Sequence, residues 1–213
     1  MATIETAKHH RISIPEELRL ANVMIRFGVG DLDITTFDEA GVLLQGSYEN
    51  EKPVRLRVLE DEGQIVIGEW SSANWFPYFW YFFGDCHIKL NRNIPSRVAV
   101  HGRLGDTTLN LLDSKLQDVR VHYLLGDLNI QFPRAGSMSG SIESTLGNIT
   151  LVIPREVGAR IRLGSITVGK CDIEEGLLER RGSEYVSKNF ETADRRLDII
   201  IDYHLGDLKI RSV

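Results

Sequence analysis

The sequence predicts an all-β protein built as a β-helix-like stack of short strands. Two observations predict it: a glycine motif recurs every 21 residues through the middle of the chain, and apolar residues alternate with polar ones around each copy. No segment has the periodicity of a long amphipathic helix. A β-sandwich of hairpins is the alternative, since glycine-aspartate turns also join hairpins. The regular period favours the stack.

The repeated motif is Leu-Gly-Asp or a close variant of it. Gly105, Gly126 and Gly147 are spaced by 21 residues, and Gly84 extends this frame backwards. Glycine adopts positive φ without steric cost, and Asp or Asn suits such turns. We therefore predict strand, turn, strand in each copy. The predicted turn glycines are Gly30, Gly84, Gly105, Gly126, Gly147, Gly164 and Gly206.

Apolar residues flank each glycine with a period of two. Leu128 and Ile130 follow one glycine, and Ile149 and Leu151 follow the next, with polar residues between them. This alternation is typical of strands with one buried face. Thr107 is the clearly polar exception. One copy cannot bury its apolar face alone, so stacking at about 4.8 Å builds the core.

The remainder of the chain divides around the repeat. Residues 1–21 form an N-terminal segment, residues 22–70 are expected to form an N-terminal β-meander, and residues 71–213 carry the repeat. We expect the last two to form one continuous domain. Residues 174–194 are charged and lose the repeat. They predict a long loop or an insertion between the last two rungs.

The composition excludes some classes of function. The net charge is -5, so the basic surface of a nucleic-acid binder is not expected. Cys86 and Cys171 are too few for a disulfide framework, and their redox state stays open. Neither a secretory signal nor a run of about 18 apolar residues is found. We expect a cytoplasmic protein, with peripheral contact at the inner face of the membrane as a further option.

Several stretches of the chain resemble a known bacterial family. They are Ile25–Ile34, Leu43–Tyr48, Ile88–Pro95, the Leu-Gly-Asp/Asn copies and Leu197–Ile210. Over about residues 20–211 they resemble the LiaF-like C-terminal domain of cell-wall-active-antibiotic response proteins, which is related to toastrack adhesin domains. The resemblance implies a right-handed, single-stranded β-helix-like fold and a link to envelope-stress signalling. It implies no catalytic residues. Family members often adjoin membrane segments, which this chain is not expected to contain.

An aromatic segment precedes the first regular copy of the repeat. We predict that it is an interaction surface for a protein partner, for self-association or for a membrane interface. A plug that closes one end of the stack is the alternative, since strand edges are exposed there. The residues of the predicted surface are Trp70, Trp75, Phe76, Tyr78, Phe79, Trp80, Tyr81 and Phe82.

Two rows of polar residues follow the repeat. Turn preference explains the acidic row, although stacked carboxylates can also bind a cation or a sugar. The second row has the right residue types for zinc, but outward strand positions are usually polar without binding a metal. No metal is therefore predicted. The acidic row is Asp85, Asp106, Asp127, Asn148 and Asp207, and the second row is His101, His122, Glu143 and Asp202.

The remaining motifs do not predict an enzyme. Residues Gly164–Cys171 nearly match a phosphate-binding loop, but a cysteine replaces the final hydroxyl residue. Arg103, Asp106 and Asp127 are the only set suited to glycan chemistry. We expect no catalytic residue and no cofactor. The predicted function is a non-enzymatic interaction or scaffold module, with a carbohydrate-binding or polysaccharide-acting protein and a self-associating adhesin as alternatives.

Overall fold

The computed structural model describes residues 3–59, 61–68 and 83–213. These residues form β-strands and no helix, which confirms the all-β prediction, and so none of them builds a helix able to cross a bilayer. The strands are β1 (Thr3–Ser13), β2 (Leu20–Arg26), β3 (Leu32–Phe37), β4 (Val42–Leu59), β5 (Glu62–Ile67), β6 (Cys86–Asn91), β7 (Ser96–Leu104), β8 (Thr107–Asn110), β9 (Leu116–Leu125), β10 (Leu128–Gln131), β11 (Met138–Leu146), β12 (Ile149–Ile153), β13 (Gly158–Val168), β14 (Cys171–Ile173), β15 (Glu179–Arg181), β16 (Glu184–Val186), β17 (Arg196–Leu205) and β18 (Leu208–Ser212).

The strands form two mixed sheets with the core between them. The order in the first sheet is β5, β2, β7, β9, β11, β17, β13, β16 and β15. In the second sheet it is β6, β3, β8, β10, β12, β18 and β14. β4 joins the sheets, because its residues 44–48 pair with β6 and its residues 54–59 pair with β5. β1 pairs antiparallel with β4 along both parts.

Neighbouring coils of the chain stack in register. A coil is a strand of the first sheet, a glycine turn and a strand of the second sheet. Leu128 pairs in parallel with Ile149, which lies 21 residues later. The turn glycines lie directly on one another: a Cβ atom on Gly126, where φ is +137°, would lie 1.7 Å from the carbonyl oxygen of Gly105. The predicted stacking of Gly105, Gly126 and Gly147 is therefore present.

The coils do not follow chain order at the two ends of the stack. β2 pairs in parallel with both β5 and β7, so the coil of β2 and β3 lies between two coils that come later in the chain. β17 likewise lies between β11 and β13. The prediction of a β-meander over residues 22–70 is therefore wrong. The alternating pattern predicts strands but not their partners, and the glycine turn at Gly30 makes β2 and β3 a coil.

One turn glycine lies at a different position from the predicted one. Gly164 lies inside β13 and is not a turn. The turn of this coil is at Gly169, where φ is +151° and a Cβ atom would lie 1.7 Å from the carbonyl oxygen of Gly206. Gly169 follows Gly147 by 22 residues. The extra residue is absorbed by a register shift between Leu163 and Ile166 in β13.

The charged stretch at residues 174–194 contains a short hairpin. β15 and β16 pair antiparallel, and β16 also pairs antiparallel with β13. The hairpin therefore extends the first sheet beyond β13, where the stack would otherwise expose an edge.

The alternating apolar residues fill the core. Ile25 and Ile142 of the first sheet and Ile130 of the second are fully buried. Burial of each such side chain contributes roughly 1.5–3 kcal/mol. Tyr123 is among the largest fully buried side chains, and Thr107, the polar exception in the repeat, is buried as well. The core thus lies between the two sheets, and the outer faces carry mainly polar residues.

Candidate interaction surface

The aromatic segment lies almost entirely outside the described residues. This holds for all eight residues of the predicted surface: Trp70, Trp75, Phe76, Tyr78, Phe79, Trp80, Tyr81 and Phe82. Phe83, which follows them, forms a parallel bridge with Val29, and Val29 forms another with Leu104. The segment therefore re-enters the described structure beside the glycine turns of the stack. Its role as an interaction surface stays a prediction.

The acidic row is part of the turns themselves. The Oδ1 atom of Asp106 accepts a hydrogen bond from the backbone N–H of Asp127 at 2.9 Å, and that of Asp127 accepts one from Asn148 at 2.8 Å. Each side chain thus caps the turn of the next coil. In stacking order the series is Glu49, Asp85, Asp31, Asp106, Asp127, Asn148, Asp207 and Lys170.

The second polar row crosses the outer face of the first sheet. His101, His122, Glu143 and Asp202 lie side by side on neighbouring strands. His122 Nδ1 lies 3.0 Å from Glu143 Oε2, and the ring centroids of His101 and His122 are 6.1 Å apart. Asp202 accepts a hydrogen bond from the backbone of Ser165 at 2.7 Å. Within residues 3–59, 61–68 and 83–213, no group of three such side chains is placed to hold a metal ion.

A groove with a volume of about 380 Å³ lies at one end of this row. Burial, Arg26 and His122 together lower the pKa of His101 below its usual value. Arg26 and Arg103 bring guanidinium groups to the groove, and such groups suit a carboxylate or phosphate. The lining residues are Arg26, His101, Gly102, Arg103, His122 and Leu124.

An apolar row beside the turns was not predicted from the sequence. We call it the leucine ladder. Its members pair in parallel, one from each of five consecutive coils of the stack, and are between 38% and 58% exposed. The repeat could have indicated this row, because the leucine before each glycine interrupts the alternation of buried and exposed residues. The leucine ladder consists of Leu104, Leu125, Leu146, Leu205 and Val168.

Two other candidate sites lack the required geometry. Residues 164–168 lie within β13 and residues 171–173 form β14, so no helix follows this stretch as it does in a phosphate-binding loop. Asp106 and Asp127 each use one carboxylate oxygen to cap a neighbouring turn. Turn formation therefore accounts for the two acids of the set suited to glycan chemistry.

Two family models match the chain. The model described as "N-terminal domain of toast_rack" matches residues 3–152, which is more than half of the chain. The chain belongs to the toast-rack family. The model described as "Cell wall-active antibiotics response LiaF, C-terminal" matches residues 104–210 of this toast-rack protein. The resemblance seen in the sequence is therefore confirmed.

A solved structure shares the fold of this toast-rack protein. A "putative cell adhesion protein" from Clostridium sporogenes ATCC 15579 is 20% identical, with a TM-score of 0.79 over 100% of both chains. At this identity the likeness shows the fold alone. A "putative adhesin" from Bacteroides fragilis NCTC 9343 is 9% identical over 99% of this chain and 97% of that one, and its TM-score of 0.34 supports no argument. No curated protein matches the toast-rack protein significantly.

Proposed function

We propose that this chain is a non-enzymatic interaction module in a bacterial cell-envelope stress response. The observation that carries the proposal is the match of residues 104–210 to the C-terminal domain of the LiaF antibiotic-response family. This region contains the regular part of the coil stack. Neither family description names an enzymatic activity.

The chemistry of the described residues supports a binding role. The acids beside the turns cap neighbouring coils, and His122 of the outer row is paired with Glu143. Such contacts stabilise the scaffold and do not assemble a nucleophile, a base and an oxyanion site around one groove. The groove beside Arg26 and Arg103 instead suits an acidic group on a partner.

We propose that the aromatic segment is one contact surface of the module. A chain with Trp75→Ser, Phe76→Ser and Trp80→Ser should differ from the wild type in oligomeric state or in binding to anionic liposomes. Ile200→Ser, at an exposed apolar residue on the outer face of β17, is the control and should change neither. If the triple variant also behaves like the wild type in both assays, the aromatic segment is not a contact surface.

The role in the stress response is tested in cells. A strain that lacks this chain should respond abnormally to an antibiotic that acts on the cell wall, and the wild-type chain should restore the response. A normal response in the deletion strain would overturn the proposed role. Turnover of a glycan by the purified protein would instead favour the alternative of a polysaccharide-acting enzyme.

Two finer points accompany the proposal. We propose that the coils wind as a right-handed, single-stranded β-helix-like stack; the parallel, in-register pairing of β7, β9 and β11 supports this description.

We also propose that the protein acts in the cytoplasm or at the inner face of the membrane. Cell fractionation with a specific antibody tests the location, and recovery outside the cell would contradict it.

A further inference from the structure

We propose that the leucine ladder joins two copies of this chain in a parallel dimer whose two-fold axis runs along the stack. The inference rests on the proposed function as an interaction module and names one partner, a second copy. Three properties of the ladder carry it: its exposure, its spacing and the charges on its two sides.

The ladder is an apolar row beside the turns, and Leu124, which is 46% exposed, adjoins it at Leu125. Leu104 pairs with Leu125, and Leu125 pairs with Leu146, each in register on neighbouring strands. Leu205 and Val168 continue the row. Because neighbouring strands lie about 4.8 Å apart, the five side chains extend over about 19 Å. A contiguous exposed apolar strip of this kind is typical of an interaction site.

The spacing of the ladder selects another stack as its partner. Side chains on one face of an extended peptide repeat at about 6.6 Å, and those on one face of a helix do not repeat at a constant 4.8 Å. Only side chains from stacked strands match the ladder at every position. A second copy of this chain provides that match, and closed two-fold pairing of identical surfaces is the commonest form of association.

Charges on the two sides of the ladder select a parallel arrangement. Arg103 lies on one side of the ladder residues, and Asp106, Asp127 and Asp207 lie on the other, all of them exposed or half-buried. A two-fold axis along the stack brings Arg103 opposite the partner's Asp106. An antiparallel arrangement centred on Leu146 would remove the contact between Arg103 and Asp106 and would place Asp127 opposite the partner's Asp207, which is unfavourable; only Asp106 would meet a cation there, the partner's Lys170.

Substitution of the ladder tests whether it forms the interface. A full-length chain with Leu125→Arg and Leu146→Arg should show a dissociation constant at least about tenfold higher than the wild type in sedimentation equilibrium. Ile200→Arg adds the same charge at an exposed apolar site outside the ladder, and it should leave the constant unchanged. An unchanged double variant, or a wild-type chain that stays monomeric at high concentration, overturns the proposed pairing.

Cross-linking tests the direction of the pairing. Leu104→Cys and Leu205→Cys are made separately with Cys171→Ser, because Cys171 is exposed while Cys86 is buried. In a parallel dimer each cysteine meets its own counterpart, so a short bis-maleimide should cross-link both variants. Cross-linking at Leu146→Cys alone would indicate an antiparallel dimer and overturn the proposed axis. Either failure concerns self-pairing only, whereas the deletion strain tests the proposed stress role independently.

Discussion

Asp106 accepts a hydrogen bond from the backbone N–H of Asp127 at 2.9 Å, while its own N–H donates to Asp31 at 2.8 Å. Each residue between the two ends of the series therefore donates to one neighbouring coil and accepts from the other. The bonds all point the same way along the stack. The repeat thus contains, beside its turn glycines, a series of polar residues whose hydrogen bonds hold the coils in register.

Removal of one carboxylate from this series should destabilise the stack. Asp127→Ala removes the acceptor for the N–H of Asn148, and by analogy with side chains that cap helices we expect a loss of about 1 kcal/mol. Asp127→Asn keeps an acceptor oxygen and should cost less, since Asn148 already fills this role toward Asp207. Urea unfolding measures both changes. Equal losses in the two variants would contradict the role of the acceptor.

A side chain at a stacked glycine should be far more disruptive than one at an open glycine. In Gly126→Ala the Cβ atom would lie 1.7 Å from the carbonyl oxygen of Gly105, so we expect a loss above about 3 kcal/mol or failure to fold. Gly136 also has positive φ, but nothing lies within 4 Å of the added atom. Gly136→Ala should therefore cost only about 1 kcal/mol. Thermal unfolding distinguishes the two variants.

Stability should decrease at alkaline pH because of buried tyrosine. Burial raises the pKa of Tyr123 to about 12, compared with about 10 in an unfolded chain. Between these values the folded state retains the proton that the unfolded state loses, so the free energy of unfolding falls as pH rises, by on the order of 2 kcal/mol. Tyr123→Phe should reduce this fall. A wild-type slope in the variant would show that other groups cause it.

Acidic pH should lower the free energy of unfolding because His101 becomes protonated. Burial lowers the pKa of His101, with Arg26 and His122 acting in the same direction. As pH falls below about 6.5, the unfolded state takes up this proton first, so the free energy of unfolding decreases. His101→Gln should have a flatter profile between about pH 7 and pH 5. An unchanged profile in His101→Gln would show that other groups cause the loss of stability in acid.

The middle of the fold is predictable from the sequence because local and long-range signals coincide there. The constant 21-residue spacing places Gly126 between Gly105 and Gly147, and the structure stacks them. The spacing also places His101 beside His122. For a coil outside the 21-residue spacing, the neighbouring coil could not be predicted. The alternation of apolar and polar residues is the same whichever strand pairs with it. The insertion of β2 and of β17 into the stack was missed for this reason.

The surface was harder to predict than the core. A strand with one buried face needs alternating apolar and polar residues, whereas an exposed position accepts residues of either kind. The leucine before each glycine was therefore compatible with a core position and with a surface position. Leu125 is exposed and Tyr123 is buried, although both are apolar and lie in the same strand. The two residues are two positions apart and would share a face in a regular strand, so alternation alone does not predict that Leu125, next to the Gly126 turn, is exposed.

The place of the last coil has a consequence for how the chain folds during synthesis. β17 and β18 are the final strands, yet they pair with β11 and β12 on one side and with β13 and β14 on the other. Until these two strands leave the ribosome, the nascent chain lacks a strand in the interior of each sheet, between β11 and β13 and between β12 and β14. Such distant pairings fold slowly and leave strand edges unpaired meanwhile. We therefore expect the nascent protein to depend on chaperones until β17 and β18 have been synthesised, and a stop codon before β17 to be more harmful than the loss of β1.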